Sequence, residues 1–100
     1  MTIKELFSTA IKRGASDLHL VANVSPIIRV DGELGYLDTF KKVTNKDIEA
    51  LASSIISAKQ KESFMSARDL DFGYELDGHR FRVNLCFEKN NLSLVARIIN

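Results

Sequence analysis

The chain has 100 residues, one domain's worth, with 45% hydrophobic and 27% charged residues, the proportions of an ordinary globular protein. Fourteen Lys and Arg against thirteen Asp and Glu leave a formal charge of +1, which gives no support to a nucleic-acid-coating or polybasic membrane-surface protein. A single cysteine, Cys86, excludes an internal disulfide and a Cys-rich zinc site, and no apolar run approaches a membrane span or a signal-peptide core, so a reducing, cytoplasmic setting is expected.

Residues 2–13 read as an amphipathic helix. Thr2 is a good N-cap, Glu5 three positions later completes a capping box, and Ile3, Leu6, Phe7, Ala10 and Ile11 keep helical spacing up to Gly14. "SDLHLV" then alternates, with Leu18 and Leu20 on one face and Asp17 and His19 on the other. "PIIRV" predicts a second strand, and Asp31-Gly32 supplies a two-residue hairpin turn into "ELGYL". Helical spacing returns over 44–56, capped by Thr44 with Asp47 and striped by Ile48, Leu51, Ala52 and Ile55. "SAKQKESFMSA" predicts a short further helix burying Phe64 and Met65. The last third is β: "DLDFGYEL", a turn at Asp77-Gly78, "HRFRVNLCFE", a turn near Asn90-Asn91, and "LSLVARII". The order α-βββ-αα-βββ predicts an α+β, two-layer fold with a mainly antiparallel sheet of about six strands and helices on one face.

The terminal hairpin carries the candidate site. Phe81, Val83, Leu85 and Phe87 alternate with Arg82, Asn84 and Cys86; Leu92, Leu94, Ala96 and Ile98 alternate with Ser93, Val95 and Arg97. A turn at Asn90-Asn91 pairs residue 84 with 97 and 82 with 99, keeping all eight apolar residues on one face, whereas a one-residue slip would drag Arg82 inward. Arg82 and Arg97 then become diagonal neighbours away from the core, about 7–8 Å apart at their backbones. Two such guanidiniums suit a phosphate, whose oxygens match arginine's planar fork. They could equally each pair with a surface acid such as Glu88 or Glu33.

"GASDLHL", "PIIRVDGEL", "DLDFGYEL" followed by "HRFRVNLCFE", and "ARII" occur in an order and spacing that resembles the N-terminal, PAS-like domain of the type II/type IV secretion-type ATPases, and within that family its pilus-retraction branch, which serves twitching motility. The resemblance covers residues 2–99, including "KQKESF". A chain that opens directly on its first helix also favours the retraction branch. The resemblance implies a hexameric motor in which a RecA-like domain follows. The sequence contains no G-x-x-x-x-G-K-[ST] and no Asp/Glu box for magnesium, so residues 1–100 are expected to be one N-terminal domain with no catalytic residue and no ATPase activity alone. By the same resemblance Arg82 and Arg97 reach the phosphates of ATP, while Asp17, His19 and Arg29 are interface candidates. The implied partners are the ATPase domains of the same and neighbouring subunits and inner-membrane pilus or secretion platform proteins. Neither nucleic acid, membrane insertion nor a metal of its own is expected. One departure is the loop "EKNNLS", which lacks the glycine frequent in the family.

Two other readings stay open: a free-standing PAS-like sensor holding a small ligand, and an interaction module whose arginine face binds an acidic partner. Asp17 and His19 share a strand face, which could suggest acid–base or metal chemistry, but they read as a hydrogen-bonded edge or interface pair. Arg29, Asp31 and Gly32 read first as hairpin chemistry, and Cys86 as an inert surface thiol on the arginine face.

Overall fold

The computed structural model describes residues 1–99. Helix α1 (Ile3–Lys12) starts where the Thr2 side chain accepts the Glu5 N–H at 3.1 Å. It ends in a reciprocal cap, with Gly14 N–H donating to Ile11 C=O and Ala15 N–H to Ala10 C=O. Gly14 sits at φ 71°, a left-handed conformation that suits a residue without a Cβ. Strands β1 (Asp17–Val21), β2 (Ile27–Val30) and β3 (Glu33–Tyr36) follow, then α2 (Asn45–Ser53), α3 (Ala58–Ala67), β4 (Asp69–Leu76), β5 (His79–Glu88) and β6 (Asn91–Ile99).

All six strands form one antiparallel sheet in the order β3-β2-β1-β6-β5-β4, the expected PAS-like α+β arrangement. The first and last strands of the chain meet at its centre, so β1 is interior and not the edge that the sequence suggested. Alternation sends Leu18, Leu20, Phe81, Val83, Leu85 and Leu94 to the face covered by the helices. There they meet Leu6 and Phe7 of α1, Ile48 and Leu51 of α2 and Phe64 of α3. The Phe7 ring lies 4.5 Å from Phe81 and 5.9 Å from Tyr74, centroid to centroid, and the Phe64 ring stacks on Phe87 at 5.0 Å. The guanidinium of Arg68 lies 4.1 Å from the Phe87 ring centroid.

Three further expectations need correction. Helix α2 ends at Ser53, with Ser54 as C-cap, three residues before the predicted limit. Met65 is 63% exposed, because Phe64 already occupies the core-facing stripe of α3 and a neighbour on a helix points about 100° away. The third correction sets the site. The β5–β6 turn is Lys89-Asn90, with both residues at positive φ (49° and 68°), and Glu88 pairs with Asn91. The hairpin is therefore two residues out from the predicted register, which leaves every side chain on its predicted face but changes which residues oppose each other.

That turn has the backbone of the two turns carrying Asp-Gly, where φ is 49° and 82° at both Asp31-Gly32 and Asp77-Gly78. Lysine is a poor occupant of a left-handed position. Replacing the turn by Asn-Gly (Lys89→Asn with Asn90→Gly) is expected to raise the unfolding free energy by about 1 kcal/mol, read by urea denaturation.

Candidate functional site

On the sheet face turned away from the helices, one cross-strand row runs through Leu34 (β3), Arg29 (β2), Asp17 (β1), Arg97 (β6), Arg82 (β5) and Gly73 (β4). The register correction puts Arg82 directly opposite Arg97 instead of diagonal to it. Directly opposed residues have Cβ atoms about 4.5–5.5 Å apart, and like charges so placed repel. Three guanidiniums against one carboxylate leave two positive charges in the row.

The two arginines are held differently. Asp17 is buried, its side chain 10% exposed, and its Oδ1 accepts from Arg97 Nε at 3.2 Å. Its Oδ2 lies 3.5 Å from Arg29 Nε and accepts from Ser16 Oγ at 3.0 Å. Arg29 is pinned further by a 2.9 Å hydrogen bond from Nη1 to the Gly32 carbonyl in the β2–β3 turn. Arg97 nevertheless remains 76% exposed in its side chain, because only Nε is engaged and the Nη edge faces solvent. Arg82 is exposed and has no ion pair among the described residues. Gly73, next in the row, leaves open space where a side chain would stand, so nothing on β4 crowds Arg82.

Among the described residues neither Glu33 nor Glu88 pairs with Arg82 or Arg97; the acid on Arg97 is Asp17. His19 lies half-buried one row along, between Ile27 and Val95, and shares no site with His79 at the start of β5. Among the described residues no group of three His, Cys, Asp or Glu is placed to hold a metal. Asn84 donates to both Asp69 and Asp71 (3.0 and 3.2 Å), which keeps those acids on the β4 side away from the arginines. Burial pushes the Cys86 thiol above its ordinary range, and the carboxylates of Glu88 and Asp69 add to the shift. Cys86 is therefore expected to alkylate with iodoacetamide more slowly at pH 8 than a free cysteine, with its pH–rate midpoint displaced upward.

No family model matches the chain. It is 38% identical over 100 residues to the type IV pilus retraction ATPase PilT of Pseudomonas aeruginosa, covering 99% of this chain and 29% of that protein. The type IV pilus ATPase PilU of the same organism is 24% identical over 99% of the chain and 26% of its own length. A crystal structure of the pilus retraction motor PilT with bound ADP superposes at a TM-score of 0.91 with 32% identity, over the whole of this chain and 29% of that one. By sequence and by fold the chain is similar to the N-terminal region of PilT-type ATPases of the type II/type IV secretion family. It matches the N-terminal region of these proteins and spans under a third of the curated relatives' length. The ATPase DotB of Legionella pneumophila, 23% identical with a TM-score of 0.81 over 98% of this chain and 28% of its own, shares the fold.

What the sequence missed in this chain is the contact of Asp17 with Arg97. The sequence read it with His19 as an edge or interface pair; the signal that could have tied it to the arginines is the later Arg97, which reaches it only through the pairing of β1 with β6.

Proposed function

We propose that this chain is the N-terminal domain of a hexameric motor ATPase that couples ATP hydrolysis to pilus retraction, with Arg82 and Arg97 reaching the phosphates of ATP. The observation that carries the reading is the opposed pair on the open sheet face, where among the described residues one guanidinium has no ion pair and the other is tethered by Nε. Two adjacent, solvent-facing guanidinium edges form a site that repels itself when empty and is neutralised by an anion. Their donors suit the non-bridging oxygens of a polyphosphate, which take bidentate hydrogen bonds from arginine better than from lysine.

In this reading ATP and magnesium are held by a RecA-like domain that follows in the chain, which supplies the phosphoryl chemistry. The role of the present residues is electrostatic: fixed positive charge that stabilises developing negative charge on the transferring group. Because the pair sits on a rigid central hairpin, attraction to the phosphates acts on the whole domain. Its position then depends on whether the nucleotide has been hydrolysed. The packing partners are the ATPase domains of the same and a neighbouring subunit, with inner-membrane pilus platform proteins beyond them and the motor in the cytoplasm. Among the described residues no helix is long and apolar enough to cross a membrane.

A small-ligand sensor is less well supported. A cleft of about 260 Å³ opens between α2, α3 and the β5–β6 hairpin, lined by Ile56, Phe64, Met65, Leu85, Phe87 and Leu92 with Asn45, Glu49 and Lys61 among its polar residues. Among the described residues no buried polar side-chain atom lacks a partner, so no unsatisfied group there awaits a ligand. ATP turnover by the full-length protein carrying Arg82→Ala or Arg97→Ala tests the proposal. A fall in turnover with the fold intact supports it, and unchanged turnover removes it.

A further inference from the structure

Arg97 is aimed by a relay of charged side chains that begins four strands from Arg82's outer neighbour, in the β2–β3 turn. The Gly32 carbonyl fixes Arg29 through Nη1, Arg29 and Ser16 hold Oδ2 of Asp17, and Oδ1 of Asp17 holds Arg97 Nε. The register places all three charged members in one row, so each link spans a single inter-strand step. Asp17 is the only member that is buried, and therefore the only one whose position is set by packing.

We propose that Asp17 is a positioning residue for Arg97. It engages the Nε edge, fixes the plane of the guanidinium, and leaves the Nη edge free for an incoming anion. It also sets one negative charge against the mutual repulsion of Arg97 and Arg82, which lets both point outward from opposed positions. Arg29 has a different job from the one its exposure suggests. With Nε on Asp17 and Nη1 on Gly32 it anchors the aspartate, and its remaining nitrogen cannot make a fork with both donors of that edge.

The inference rests on the proposed contact of Arg97 with ATP phosphates, and its test separates the two. In the full-length protein, turnover is measured for Asp17→Asn, Arg97→Ala and the double variant. Asp17→Asn keeps the shape and an acceptor for Nε but removes the charge; Arg29→Ala, which loosens the anchor without touching the buried position, is the second variant should Asp17→Asn not fold. Partners that orient a functional group from behind are typically worth roughly 10–100-fold. A loss of about 10-fold in kcat is therefore expected for Asp17→Asn in the parent, and less than about 2-fold in the Arg97→Ala background, since Asp17 acts through Arg97. A purely structural aspartate would slow both backgrounds alike, and that result overturns the proposal. So does a normal kcat for Asp17→Asn beside a slow Arg97→Ala. If Arg97→Ala itself turns over normally, the contact with phosphate is wrong and the positioning role falls with it.

Discussion

Truncating Phe7 to alanine is expected to lower the unfolding free energy by about 3–5 kcal/mol. Phe7 is fully buried on α1 and is the ring that joins the first helix to the sheet, contacting Phe81 on β5 and Tyr74 on β4. Its removal deletes two aromatic pairs, about 0.5–1.5 kcal/mol each beyond their area, and leaves a void between layers. The site cannot close easily, because the neighbouring α1 residues Ile3, Leu6 and Ala10 are themselves committed to the core and the sheet beneath is tied by backbone hydrogen bonds. Against a total stability of about 5–15 kcal/mol for a domain of this size, such a loss brings the chain near the edge of folding. Urea denaturation followed by far-ultraviolet circular dichroism measures it. Met65→Ala serves as the comparison: with 63% of that side chain already in water, its loss should cost less than about 1 kcal/mol. Equal losses at the two positions would contradict the layer assignment.

The faces of the terminal hairpin were legible in the sequence and its register was not, for one reason. Strand side chains repeat every two residues, so alternation fixes a register only to within a two-residue step. A stronger criterion was available. With the turn at Lys89-Asn90, all four apolar residues of β5 oppose all four of β6: Phe81 with Ile98, Val83 with Ala96, Leu85 with Leu94, Phe87 with Leu92. With the turn at Asn90-Asn91, Leu92 would face Lys89 and Phe81 would face residue 100, an asparagine. Full apolar pairing outweighs the preference of asparagine for a left-handed turn, so a lysine takes the strained position. The clamp on Arg97 lay beyond local pattern altogether. Asp17 and Arg97 are 80 positions apart and meet only because β1 inserts between β2 and β6, a pairing that no hairpin signal announces. Arg29, Asp31 and Gly32 could be read as turn chemistry, and in part they are: Arg29 does bind the turn it was assigned to. Its ion pair with Asp17 is what connects that turn to the arginine pair.

Arg82→Ala and Arg97→Ala are expected to separate activity from stability in opposite senses. Losing one donor aimed at developing negative charge typically lowers kcat by about 10²–10³-fold, and a fall of about 10²-fold is expected for either variant of the full-length protein. For Arg82 the fold should not suffer. The side chain is exposed, has no ion pair among the described residues and faces a like charge, so its removal relieves repulsion; stability should stay within about 0.5 kcal/mol of the parent or rise. Arg97→Ala instead leaves Oδ1 of a buried carboxylate without its partner, and the melting temperature should drop. Lysine sharpens the distinction. Arg82→Lys preserves the charge and the repulsion but not the planar fork, so its turnover should remain at least about 10-fold below the parent if bidentate phosphate contact is what Arg82 supplies. Full activity with lysine would mean that a diffuse positive field is enough, and that the opposed geometry of the pair has no part in recognising the phosphates.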